Sequence, residues 1–249
     1  MNQSCQIIKL EETESTNTYL KNILAESSIG EFKVVSTNFQ TKGRGQMGNS
    51  WISNRGENLL FSMLIYPHTI KANEQFVISQ VVSVALANVL SKYVCDIKIK
   101  WPNDIYWKDN KIAVILIENS LLGHHIERSI IGIGLNINQN TFPNFLVNPI
   151  SLQMITGHKY DLDDILSQFM DEFLKQYEIL CTGNWEVIEN AYMKLLYRYG
   201  DGIYYAYEDE YGQFDAKIIE VKKSGHLVLR AQGEGEDRIY AFKEVRFIN

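Results

Sequence analysis

Proline is rare, four in 249 residues, and no low-complexity tract interrupts the chain. Long disordered stretches are therefore not expected. Basic charge is also short: 24 Lys and Arg against 30 Asp and Glu leave a formal charge of −6. Proteins that grip phosphate backbones carry a basic field, so no nucleic-acid partner is expected. The three cysteines, Cys5, Cys95 and Cys181, are odd in number, widely spaced and form no CxxC. They read as free thiols in a reducing compartment. The five histidines make no ligand cluster; His124 and His125 would point to opposite faces of a strand. No metal site built from protein ligands is expected. Long apolar runs are missing too. "FVISQVVSVALANVL" (76–90) is too short to span a bilayer and carries Ser, Gln and Asn. The first fifteen residues have neither a basic n-region nor an apolar h-region. The expected location is cytoplasmic, with no membrane partner.

What remains is 45% hydrophobic, enough to bury the core of one large domain and a small one. Strands are expected at 5–10, 32–39, 58–66, 96–101, 111–119 and 126–138, and helices at 15–27, 72–93, 161–181 and 184–197. Ser15 or Thr16 suits the N-cap of the first helix. From Tyr199 the texture changes to short strands punctuated by Gly-rich turns, the pattern of a small β-barrel. A boundary near 198 divides the chain into 1–198 and 199–249.

Four polar islands end apolar elements: "ESTN" (14–17), "QTKGRGQMGNSW" (40–51), "KWPNDIYWKDNK" (100–111) and "GIGLNIN" (132–138). Chemistry gathers where rigid elements feed loops. In the second, Gly43, Gly45 and Gly48 allow close backbone approach and Arg44 supplies a fixed cation. That is either a phosphate cradle or a surface connector; it is neither a Walker motif nor a dinucleotide fingerprint. Having almost nothing apolar to bury, the loop is expected to be mobile without ligand. Lys111 stands one hairpin from Asp104, as a surface pair or as a cation at a pocket mouth. Gly132 and Gly134 share a strand face and leave room for a flat ligand or another backbone. Asn136 offers a carboxamide that can read a purine edge, or simply enters a turn.

In this order the islands resemble the biotin protein ligases, whose pattern runs STN, Q-x-x-GRGRxGR-x-W, KWPND, K-[LIV]-x-G-I-L-[LIV]-E and G-[IV]-G-[LI]-N. The matching stretches here are "STN", "QTKGRGQMGNSW", "KWPND", "KIAVILIE" and "GIGLNIN". The resemblance implies an α+β fold: a mixed β-sheet with helices on one face, like class II aminoacyl-tRNA synthetase cores, plus a small SH3-like C-terminal β-barrel. It implies that biotin and ATP form biotinyl-5′-AMP, and that a lysine of a biotin carboxyl carrier domain then takes the biotin. By the same carry-over, Lys111 and Arg44 are catalytic. Ser15, Thr16, Asn17, Gln40, Gly43, Arg44, Gly45, Gln46 and Lys111 contact biotin. Trp51, Asn103, Asp104 and Asn136 contact the adenylate. Magnesium arrives on the phosphates.

The sequence departs from the pattern at Gln46 and Asn49, where Arg is common, and at Val114, where Gly is usual. Gln46 loses a charge that helps hold the adenylate, and Val114 narrows the nucleotide pocket or shifts its strand. Fourteen residues precede the first motif, so no winged-helix DNA-binding segment is expected. The state is monomer or homodimer. A lipoate or octanoyl transferase on the same fold and a non-catalytic biotin- or nucleotide-binding module are the rival readings.

Overall fold

The computed structural model describes residues 6–248, with Met47 described by its backbone alone. Cys5 lies outside the described residues, while Cys95 and Cys181 are exposed free thiols. Seven strands form one sheet: β1 (Ile7–Leu10), β2 (Val34–Thr37), β3 (Leu59–Ile65), β4 (Ile97–Lys100), β5 (Asp104–Trp107), β6 (Asn110–Leu122) and β7 (His125–Leu135). Their order is β1-β2-β3-β7-β6-β5-β4. β1 and β2 are parallel and the other neighbours antiparallel, so the sheet is mixed as expected. β3 is buried along its whole length, which explains its nearly continuous apolar sequence. β5 falls inside the polar "WPNDIYWKDN" island, where only a connection between strands was expected.

Strand alternation sorts side chains onto two faces. Val34, Met63 and Ile131 point to the larger core with α2 (Phe76–Leu90), α4 (Leu162–Cys181) and α5 (Trp185–Leu195). α2 is apolar nearly all round because it lies within this core. Phe169 of α4 meets Phe61 of β3 edge-on at 5.3 Å. Val35, Leu64 and Ile130 point the other way and pack with Leu20 of α1 (Thr16–Glu26). Helices therefore cover both faces rather than one. The short α3 (Leu152–Thr156), capped by Ser151, follows the loop after β7.

The tail forms a five-stranded antiparallel sheet: β8 (Tyr205–Asp209), β9 (Gly212–Val221), β10 (Leu227–Ala231), β11 (Asp237–Tyr240) and β12 (Arg246–Phe247). The order is β11-β10-β9-β8-β12. Among the described residues β11 and β12 do not pair, so the sheet is open where a closed barrel was expected. Residues 241–245 connect these last two strands and carry Phe242 to the large sheet. Trp101 donates its indole N–H to the Gly225 carbonyl at 2.8 Å and meets Phe242 edge-on at 6.2 Å. Tyr207, Leu227 and Leu229 belong to the same buried core as α2.

Candidate functional site

The face of the sheet that carries α1 is the floor of the site. Register places Ser62, Gly132 and Leu116 in one row across β3, β7 and β6. The next row is Leu60, Gly134 and Val114; the row on the other side is Leu64, Ile130 and Glu118. The two glycines lower the floor, and side chains lie in the space. A Cβ on Gly132 would collide with Asn17, and one on Gly134 would stand 2.6 Å from the Trp51 indole. The room expected for a ligand is, in this structure, shared with Asn17 and Trp51.

α1 begins over this floor. Ser15 has N-cap backbone geometry but its side chain caps nothing. The orphan N–H of Thr16 instead donates to Gln40 Oε1 at 2.8 Å, tying the helix start to the glycine-rich loop. The buried Ser62 hydroxyl lies 2.7 Å from Thr16 Oγ1 and 2.5 Å from Asn17 Oδ1. Asn17 Nδ2 donates to Glu118 Oε2 at 2.7 Å. Glu118 also takes Lys21 at 2.7 Å and Arg44 at 3.3 Å. Burial raises the pKa of Glu118, yet the hydrogen bonds from Lys21 and Asn17 and the Arg44 charge outweigh it, leaving the carboxyl below its ordinary value. Ser15, Thr16, Asn17, Gln40, Arg44, Trp51 and the two glycines thus enclose a head pocket of about 20 Å³, space for one water.

The loop at 40–51 pairs with itself. It is a hairpin closed by backbone bonds: Trp51 N–H to the Gly43 carbonyl at 2.9 Å and Gly45 N–H to the Asn49 carbonyl at 2.7 Å. A Cβ on Gly43 would strike the Trp51 carbonyl, so this closure requires glycine. Backbone pairing and the seat of Trp51 on Gly134 replace the missing apolar burial.

A second cavity of about 430 Å³, within the usual size of ligand sites, opens on the other side of Trp51 and Val114. Gly45, Gln46, Asn103, Asp104 and Lys111 line it. Lys111 meets Asp104 Oδ2 at 2.7 Å across the β5–β6 hairpin. Burial pushes the Asp104 carboxyl up, against the pull of the Lys111 and Lys100 charges. Asn103 spends Nδ2 on the Ile115 carbonyl at 2.8 Å. Asn136 donates to the Ile150 carbonyl at 3.1 Å, but its Oδ1 is buried without a partner, as is Trp51 Nε1. Buried polar atoms normally have partners; Trp51 borders both cavities, whereas Asn136 lines neither of them. Arg44 and Lys111 are not in contact with each other; each faces a different cavity and holds its own carboxylate.

Three groups escaped the sequence reading. Glu118 closes the "KIAVILIE" stretch, a signal that was present in the motif. Ser62 lies inside an apolar strand. Phe242, Val245, Arg246 and Phe247 form the far wall of the second cavity, brought there from the tail by folding alone.

Two ligand spaces that meet across one wall suit an enzyme that joins what they hold, a ligase. Residues 10–136 match the Biotin/lipoate A/B protein ligase family, and the chain belongs to it. It is 29% identical over 222 residues to the bifunctional ligase/repressor BirA of Bacillus spizizenii, covering 88% of this chain and 67% of the relative. It covers 57% of the Escherichia coli BirA. It is 29% identical over 231 residues to the biotin–[acetyl-CoA-carboxylase] ligase of Paracoccus denitrificans, covering 89% and 92%. The fold matches that of the biotin protein ligase from Aquifex aeolicus in complex with biotin and ATP, with TM-score 0.80, 23% identity and coverage of 98% and 99%. Among the described residues no helix is long and apolar enough to cross a membrane.

Proposed function

We propose that the chain is an ATP-dependent biotin protein ligase that forms biotinyl-5′-AMP and passes biotin to a lysine of a biotin carboxyl carrier domain. The observation that carries this reading is the single wall, Trp51 and Val114, shared by the head pocket and the Lys111–Asp104 cavity. A carboxylate leaving one space meets a phosphate lying in the other. In the first step a biotin carboxylate oxygen attacks the α-phosphorus of ATP and pyrophosphate leaves. Two anions must approach, so cations at the junction stabilise the transition state. Lys111 and Arg44 take that role, each exchanging a carboxylate partner for ligand oxygens. Ser15, Thr16, Asn17 and Gln40 hold the head group, with Gly43 in the hairpin beside it, while Gly45 and Gln46 face the second cavity. Asn136 Oδ1 accepts from an adenine amine, and the Trp51 indole moves from Gly134 to stack on the base. Asn103 and Asp104 line the nucleotide side. Magnesium would arrive bound to the triphosphate, and Asp104 is the carboxylate of this cavity that would face it.

We read 1–198 as the catalytic domain and 199–249 as an SH3-like module, the enzyme as monomer or homodimer, and its location as cytoplasmic. Incubation with ATP, a recombinant carrier domain and either biotin or lipoate, followed by intact mass, tests the function. One biotinyl group on the carrier is expected. A lipoyl adduct, or no pyrophosphate release with biotin, overturns the reading.

A further inference from the structure

The trough between α1 and the sheet continues past the head pocket. Turns of α1 keep step with rows of the sheet, since four residues of helix advance about 6 Å and two residues of strand about 7 Å. Asn17 lies over the row of Leu116 and Gly132, in the head pocket. One step on, Lys21 meets the row of Glu118 and Ile130. A step further, Leu24 and Ala25 face the row of Ser120 and Arg128, and a rear space of about 270 Å³ opens there. On its floor Arg128 Nε donates to the Ser120 hydroxyl at 3.2 Å.

Glu118 stands between the two spaces. Its Oε2 accepts from Asn17 and Arg44, which line the head pocket. Its Oε1 accepts from Lys21, which lines the rear space with Glu118 itself. The carboxylate is braced from both sides, and Asn17 and Lys21 still hold it when Arg44 turns to a ligand. On the function proposed above, the biotin carboxylate points toward the Val114 wall. The ureido ring then lies at the opposite end, toward the Glu118 row. We infer that Glu118 is a specificity-determining residue, the end wall that limits the head group to an unsubstituted ureido ring, and that the rear space is the room it denies. This rests on the function proposed above. The excluded class is a cyclic-urea acid carrying an alkyl group at its ureido end. To admit one, the carboxylate would have to give up its bonds to Asn17 and Lys21, and charge-assisted bonds are among the stronger ones. With the wall removed, Leu24, Ala25 and Ile130 offer the alkyl group an apolar seat.

Competition between biotin and biotin propylated on a ureido nitrogen, read by intact mass of the carrier domain, gives the ratio of the two kcat/KM values. Wild type is expected to attach biotin almost alone. Glu118→Ala should lower the ratio by about tenfold to a hundredfold, even though biotin itself binds more weakly. Lys21→Ala, which frees Oε1, should move the ratio the same way by less, and serves if Glu118→Ala folds poorly. In the Glu118→Ala background, Ala25→Phe from the helix or Ser120→Phe from the sheet refills the rear space and should restore the preference. A merely loosened pocket would not respond to refilling. An unchanged ratio in folded Glu118→Ala overturns the inference. So does a lowered ratio that neither refilling variant restores, and so does a wild type that takes both acids equally. A wild type that attaches neither acid overturns the function itself, a different outcome.

Discussion

Glu118 is the strongest single test of the head pocket. Replacing it with Ala leaves Asn17 Nδ2 only the Leu116 carbonyl at 3.4 Å, and leaves Arg44 with Thr18 Oγ1 at 3.3 Å. A hydrogen bond to a charged acceptor contributes about 1.5–3 kcal/mol. The Lys21 pair is partly exposed and adds at most about 1 kcal/mol. Asn17 should thus lose about 2–3 kcal/mol of positioning, which raises the biotin Kd by about 30- to 150-fold. Glu118→Gln keeps an oxygen for Asn17 and should lose less. Titration calorimetry with biotin at neutral pH reads the effect, and urea unfolding of each variant checks the fold. The sign with pH also follows. The folded carboxyl lies below its ordinary value, so its stabilising contribution is full above that value and fades as pH falls through the folded pKa. Wild-type affinity from folded Glu118→Ala would refute the role given to this carboxylate.

Lys111→Ala should slow pyrophosphate release by about 10²–10³-fold, roughly the 3–4 kcal/mol of a lost electrostatic donor, and an unchanged rate would remove Lys111 from the chemistry. Lys100 is held against Tyr106 and Phe247, and burial, with a smaller opposing pull from Asp104, pushes its pKa down to about 8. The unfolded lysine still binds its proton there, so stability should rise by about 2 kcal/mol from neutral pH to about pH 9.5. Lys100→Met should flatten that rise in urea titrations; an identical slope would show that the lysine is not desolvated. Gln46 borders the Lys111–Asp104 cavity without bringing a charge. Gln46→Arg should slow release of biotinyl-5′-AMP, measured by filter retention, and equal rates would end the idea that Gln46 lets the adenylate leave faster.

Much of this site was legible because its parts are local. The Lys111–Asp104 pair follows from a tight hairpin, and the Gly132/Gly134 alternation follows from strand period. The failures are non-local. Glu118 lies 101 residues from Asn17, and no spacing rule links them. Ser62 is hidden in a strand whose apolar run describes burial, and only register reveals that it sits beside Gly132. The backbone pairing that closes the loop at 40–51 leaves no trace in side-chain composition. The tail looked like a barrel because short strands and glycine turns do not specify whether the last edge closes. Val114 was legible as a departure, but its place on the wall between two cavities came only from its pairing with Asp104 and Gly134.

The wall formed by Phe242, Val245, Arg246 and Phe247 has a consequence for how the protein is made. A ribosome delivers the head-group residues 15–17 early and this wall more than two hundred residues later. A nascent chain that stops short of Phe242 lacks one wall of the second cavity, part of the enclosure that would keep water from a mixed anhydride. On the proposed chemistry, the reactive acyl phosphate cannot be held on an unfinished chain, close to the lysines of the machinery that is making it. Synthesis itself then acts as the enzyme's first safeguard.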